Sequence, residues 1–262
     1  MERKNVVVEK GGGIGFLILN RPEVDNRLSQ DFLTEISQTL DELNADDETR
    51  LIVIKGAGKN FCVGVDVAEI LGLDEVAGRN FFVSLSEMYK TLHRIDKVTI
   101  AMVQGYATAA GMGVASSCDL VVASEDVQFG ATGVRVGLFC MTASGVLLPR
   151  VVGSQKALEL ALTGDLIGGK EAERFGIVNM VVPRERLESA TVELAGKILS
   201  RNPVSIVMGK RNFYACAEMG FDEGLDYSAE MYGVLAATKG AKEGMRAFLE
   251  KRKFSYKRAG SE

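Results

Sequence analysis

The sequence predicts an α/β fold, with a strand-rich first part and a mostly helical C-terminal part. Three observations carry this reading. Short apolar runs rich in β-branched residues recur in the first half, amphipathic helical patterns separate them, and beyond about residue 155 helical segments take over. The predicted strands are Phe16–Leu19, Leu51–Ile54, Thr99–Val103 and Leu120–Ala123, each bounded by Gly, Asn, Asp or Ser. Runs of that length and apolarity suit strands buried on both faces.

The intervening helices follow from periodicity. Ser29 is a predicted N-cap for a helix whose Phe32, Leu33, Ile36, Leu40 and Leu43 share one face. Phe81, Phe82, Leu85, Met88, Leu92 and Ile95 mark a second helix. Later segments end at glycine, Ala157–Thr163 before Gly164 and Glu171–Phe175 before Gly176. Longer amphipathic stretches follow near 185–200, 204–218, 222–237 and 241–252. No internal repeat at a fixed period and no low-complexity linker interrupts the pattern.

Bulk properties exclude several functions. The 262 residues suit one large domain, or one domain with a small appendage, and a 47% apolar, 25% charged composition suits a globular protein with a sizeable core. A formal net charge of -4 gives no basic footprint for nucleic acid. The run Lys251-Arg252-Lys253 is a local exception, read first as a solvated face. No apolar run is long enough to span a membrane, and the first residues lack the pattern of a secretory signal. Cys62, Cys118, Cys140 and Cys216 are scattered with no CxxC pair, so free thiols in a reducing cytoplasm are expected, with neither disulfides nor a metal site.

Two glycine-containing turns follow predicted strands, Gly56–Asp66 and Gln104–Gly113. Small residues let backbone approach a ligand closely, and a helix starting near Ala110 would aim free N–H groups and its positive dipole end at an acceptor. Either turn alone is equally well explained by packing.

Together, and in order along nearly the whole chain, the motifs resemble those of the enoyl-CoA hydratase/isomerase (crotonase) superfamily. Asn20-Arg-Pro-Glu-Val-Asp-Asn-Arg-Leu28 is similar to its N-terminal signature, with Arg27 where a small residue is usual. Phe61–Asp66 resembles the first oxyanion turn, and Gly105–Gly111 the second, with alanines in place of two of three usual glycines. Ala161–Asp165, Ala172–Val178 and Gly244–Arg252 also match. The resemblance implies a spiral of ββα units over residues 1–200 and a helical trimerisation region over 201–262, assembled as a homotrimer or homohexamer. It further implies an acyl-CoA ligand, with no other cofactor, whose thioester carbonyl sits between the backbone N–H groups of Val65 and Ala110. Coenzyme A contacts fall on Arg27, Val63, Val65, Phe248 and Lys251, the last two often reaching the neighbouring subunit's site. For Lys251 a phosphate contact and a solvated face both stay open.

A hydratase of this family uses two glutamates, one as acid and one as base. The matching positions here are Gly113 and Gly133, flanked by Met112, Val114, Thr132 and Val134. Two-glutamate hydration, and isomerisation through the second position, are therefore not expected. The segments Ala107–Gly111 and Val136–Cys140 resemble a mitochondrial branch, the enoyl-CoA hydratase domain-containing proteins. Other reactive groups near the site are few. Cys140, with Thr142 and Ser144 on the same loop, is either a nucleophile or, as its Phe and Met neighbours suggest, a packing residue. Asp66, Glu69 and Asp119 read as structural, and the lone His93 as a surface or capping residue. Tyr106, Phe81, Phe82, Phe139 and Met141 are candidates for an apolar acyl pocket. The expected function is an acyl-CoA enzyme with diverged chemistry; the alternative is a non-catalytic acyl-CoA-binding or oligomer-forming protein.

Overall fold

A computed structural model describes residues 4–252 and Tyr256. Its strands are β1 (Val6–Gly11), β2 (Ile14–Leu19), β3 (Leu51–Gly56), β4 (Val98–Val103), β5 (Tyr106–Thr108), β6 (Leu120–Ser124), β7 (Gln128–Gly130), β8 (Leu166–Gly168) and β9 (Met180–Val182). Its α-helices are α1 (Gln30–Ala45), α2 (Val67–Leu71), α3 (Glu75–Arg94), α4 (Ala110–Ser117), α5 (Leu148–Val152), α6 (Ser154–Thr163), α7 (Gly169–Arg174), α8 (Leu187–Leu199), α9 (Pro203–Cys216), α10 (Phe221–Ala237) and α11 (Lys239–Leu249).

Six strands form one sheet in the order β1-β2-β3-β4-β6-β9, antiparallel between β1 and β2 and parallel elsewhere. A second sheet, β5-β7-β8, is short and lies over the first turn of α4. The four predicted strands lie within β2, β3, β4 and β6, and they are buried because helices cover both faces of the larger sheet. Ile52 and Ile54 face one core with α1, α3 and α4, while Leu51 and Val53 face another with α8.

The helix signals have local causes. The Ser29 hydroxyl accepts from the Phe32 N–H at 3.3 Å and caps α1, burying the five predicted face residues. Asp74 caps α3 through the Ala77 N–H at 2.8 Å. Gly164 takes a left-handed φ of 65° and ends α6 as predicted.

The C-terminal helices join the core through a polar knot. Asp119 accepts from the Lys210 ammonium at 2.7 Å, the Tyr214 hydroxyl at 2.8 Å and the Thr99 N–H at 2.7 Å. Asp119 is thus structural, as expected. His93, read from sequence as a surface or capping residue, lies half-buried in the last turn of α3 against the Tyr214 ring at 4.2 Å, and burial lowers its pKa. The outer faces of α10 and α11 leave Phe221, Tyr232, Phe248 and Leu249 exposed. Among the described residues no helix is long and apolar enough to cross a membrane. Of the C-terminal basic run, Lys253 lies outside the described residues.

Candidate active site

The two glycine turns are laced into one unit. The Phe61 N–H donates to the Gln104 carbonyl at 2.9 Å, the Cys62 N–H to Tyr106 at 3.1 Å and the Thr108 N–H back to Cys62 at 3.0 Å. The Thr108 hydroxyl adds a bond to the Val63 carbonyl at 3.1 Å. Buried Asn26 closes the assembly, its amide nitrogen reaching the carbonyls of Ala57, Asn60 and Phe61, each at 3.0 Å. A satisfied buried amide of this kind fixes loop backbone where no regular ladder exists. The Asn20–Leu28 motif therefore acts as a clamp on the first turn.

This lacing places Val65 and Ala110 side by side. A Cβ added at Gly64, where φ is +109°, would lie 3.6 Å from the Ala110 nitrogen and 3.0 Å from the Ala109 Cβ. Gly111 tolerates no side chain at all, since its Cβ would fall 2.0 Å from the Cys62 carbonyl. Neither the Val65 nor the Ala110 N–H meets a protein acceptor among the described residues. Ala110 opens α4, so its amide is one of the donors a helix start leaves free. Ala109, just before it, holds φ 49° and ψ −118°, a conformation that L side chains rarely adopt. Strain of that kind, about 1–3 kcal/mol, persists only where surroundings impose it.

Val65 and Ala110 line a cavity of about 730 Å³. Its other walls come from α3, from residues 132–143 after β7 and from Leu166 of β8, and they are mostly apolar. Phe82, Tyr106, Phe139 and Met141 line it as predicted, whereas Phe81 points into the core. No aspartate, glutamate or histidine is among the lining residues. Asp66 instead pairs with Arg21 at 3.6 Å, and Glu69 accepts from the Gln30 N–H at 3.2 Å. Both serve packing of the surrounding loops.

The two glycines singled out in the sequence are filled from elsewhere. A Cβ at Gly113 would lie 2.3 Å from the Tyr89 hydroxyl oxygen and 2.6 Å from its Cζ. That hydroxyl donates to the Ala110 carbonyl at 2.8 Å. Burial, with the Cys62 and Cys140 thiols nearby, raises the phenol's pKa far above its usual value and keeps it neutral. A Cβ at Gly133 would lie 2.8 Å from the Cys140 Sγ, which accepts from the Gly133 N–H at 3.3 Å. Burial raises the Cys140 pKa too, with that amide opposing the effect. At both places an uncharged side chain, a phenol or a thiol, stands where a longer residue would need room.

The structure brings Val63, Val65, Ala110, Gly133 and Cys140 to the cavity. Arg27 lies on the clamp and is not among the lining residues, its Nε bonded to the Val24 carbonyl at 3.0 Å. Phe248, 80% exposed, lines a separate groove between α9, α10 and α11, and Lys251 follows it at the end of α11. Sequence reasoning missed Tyr89, which reads as one more core aromatic of α3, and Arg79, which reads as a solvated charge. Among the described residues, no cluster of three His, Cys, Asp or Glu side chains is arranged to hold a metal ion.

The laced turns, two amides without protein acceptors and an apolar cavity form one site, and comparison with known proteins gives the family. The chain belongs to the enoyl-CoA hydratase/isomerase family, whose sequence profile matches residues 9–259. It is 34% identical over 254 residues to a short-chain-enoyl-CoA hydratase of Clostridium acetobutylicum, covering 97% of each chain. It is 33% identical over 257 residues to a crotonyl-CoA hydratase of Syntrophomonas wolfei, covering 98% of this chain and 99% of that one. The structure of an enoyl-CoA hydratase from Mycobacterium smegmatis superposes with a TM-score of 0.93 at 31% identity, over 96% of this chain and 98% of that one. Human enoyl Coenzyme A hydratase domain-containing protein 3 superposes with a TM-score of 0.91 at 31% identity, over 97% and 100%. The mixed α/β crotonase fold with a helical C-terminal region is thereby established.

Proposed function

We propose that this protein is an enzyme that binds an acyl-CoA thioester with its carbonyl oxygen between the Val65 and Ala110 amides, and that it carries out a reaction other than two-glutamate hydration. The observation that carries the reading is a cavity bearing two amide donors without acceptors and no carboxylate in its lining. Preorganised donors of this kind stabilise negative charge developing on a thioester oxygen, each worth about 3–4 kcal/mol. Enolate or oxyanion chemistry is therefore within reach. The general acid and base of a hydratase each contribute roughly 10²–10⁴-fold, and Gly113 and Gly133 supply neither. Cys140 enters this reading as a thiol whose raised pKa disfavours nucleophilic attack at neutral pH, its Sγ accepting from the Gly133 N–H.

Coenzyme A is assigned to Arg27, Val63 and Val65 of one subunit and to Phe248 and Lys251 of its neighbour. The exposed apolar faces of α10 and α11 support an oligomer built through residues 201–262. The test is turnover on a panel of enoyl-, hydroxyacyl- and aryl-CoA esters. Turnover of one ester class, with crotonyl-CoA hydration at least about a hundredfold below that of a two-acid hydratase, supports the proposal. Binding without turnover of any ester would leave only an acyl-CoA-binding protein.

A further inference from the structure

The cavity carries charge of one sign only. Arg79 and Arg135 both line it, and no acid lines it. Arg135 has one acidic contact, to Asp165 at 3.5 Å between half-exposed groups, which is weak. Arg79 has no ion pair or hydrogen bond among the described residues, although Asp74 and Glu75 stand five and four residues before it on the same chain segment. Both arginines are exposed, and the lining around them is mostly apolar.

Its position on α3 is informative. Arg79, Phe82, Val83 and Ser86 recur at helical spacing and line the cavity as one stripe. The same helix ends its run along the site at Tyr89, whose hydroxyl holds the Ala110 carbonyl. Ten residues at about 1.5 Å each put Arg79 roughly 15 Å along the axis from that contact. A ligand whose carbonyl meets the Ala110 amide would therefore meet Arg79 at its far end, across apolar walls.

Resting on the acyl-thioester reading above, we infer that the preferred acyl group ends in an anion, a carboxylate carried at the distal end of the chain and bound by Arg79 with Arg135 in support. An arginine offers a carboxylate two parallel donors, and no acid lines the cavity to compete for them. The phosphates of coenzyme A are the competing anion. They have Arg27 and Lys251 assigned to them already, and the apolar cavity walls suit them poorly.

The experiment is calorimetric titration of the full chain with matched pairs of esters: butyryl- with succinyl-CoA, hexanoyl- with adipoyl-CoA, octanoyl- with suberoyl-CoA, and free coenzyme A. The expected result is that at least one carboxylated ester binds about tenfold or more tightly than its plain partner, the size of one charge-assisted hydrogen bond. Arg79→Met should abolish that preference while leaving the plain ester within about twofold, and Arg79→Lys should retain part of it. Equal affinity within every pair would overturn the inference while leaving the thioester site intact. Equal weakening of both esters and of free coenzyme A by Arg79→Met would also overturn it, by assigning Arg79 to a phosphate. Failure of every ester to bind wild-type protein would instead remove the thioester reading on which it rests.

Discussion

Replacing Gly113 by alanine tests whether Tyr89 really occupies the space beside α4. The added Cβ would sit 2.3 Å from the phenol oxygen and 3.0 Å from the Ala143 Cβ. That is more than about 1 Å inside ordinary van der Waals separation. Tyr89 is 5% exposed and bonded to the Ala110 carbonyl, so it cannot swing into solvent. Overpacking of this kind costs about 1–3 kcal/mol, and a displaced hydroxyl forfeits about 1 kcal/mol more. Alanine recovers about 1 kcal/mol through its higher helix propensity. The net expectation is a loss of about 1–3 kcal/mol, read as a lower urea midpoint at unchanged slope. In a Tyr89→Leu background the obstruction is gone, and the same substitution should be neutral or stabilising by up to about 1 kcal/mol. Equal costs in the two backgrounds, or stabilisation of the wild-type chain, would refute the packing argument.

Other consequences follow from the same geometry. Ala109→Gly should stabilise the fold by about 1 kcal/mol, because relief of the positive φ outweighs glycine's extra unfolded entropy; a lower unfolding midpoint would contradict this. Iodoacetamide at about pH 7 should modify Cys140 more slowly than the same cysteine in urea, with the rate rising at a higher pH than for the unfolded chain; peptide mapping showing fast labelling of the folded protein would refute the neutral thiol. His93 is the one histidine, so its ring resonance should titrate below the usual 6.5. A depressed folded pKa contributes stability that is present above the unfolded value and lost as pH falls through the folded one. An NMR titration at or above the usual value would show that His93 is not held between α3 and α9.

How much of this was legible in the chain depends on which forces act locally. β2, β3, β4 and β6 were readable because strands buried on both faces need continuous apolar runs. β5, β7, β8 and β9 were not, since three residues are too few for a periodic signal, and long-range pairing alone makes them strands. β1 was missed although Gly12 and Gly13, at φ +60° and +84°, mark the hairpin turn that pairs it with β2. At the site, the turns around Val65 and Ala110 were visible as motifs. What fills Gly113 and Gly133 was not, because Tyr89 and Cys140 arrive from 24 and 7 residues away and only packing sets them there. Phe81 illustrates the same limit, since neighbours on one helix project only about 100° apart, its ring touches that of Phe82 at 5.4 Å, and sequence cannot say which of the two faces a cavity.

The central claim is that the Val65 and Ala110 amides hold a thioester carbonyl. Difference infrared spectroscopy of acyl-CoA, isotope-labelled at that carbonyl and bound to the protein, reads this directly. Two donors polarise the carbonyl and weaken its double bond, so the band should move to lower wavenumber than in the free ester. A bound ester whose carbonyl band stays at its solution position would contradict the account.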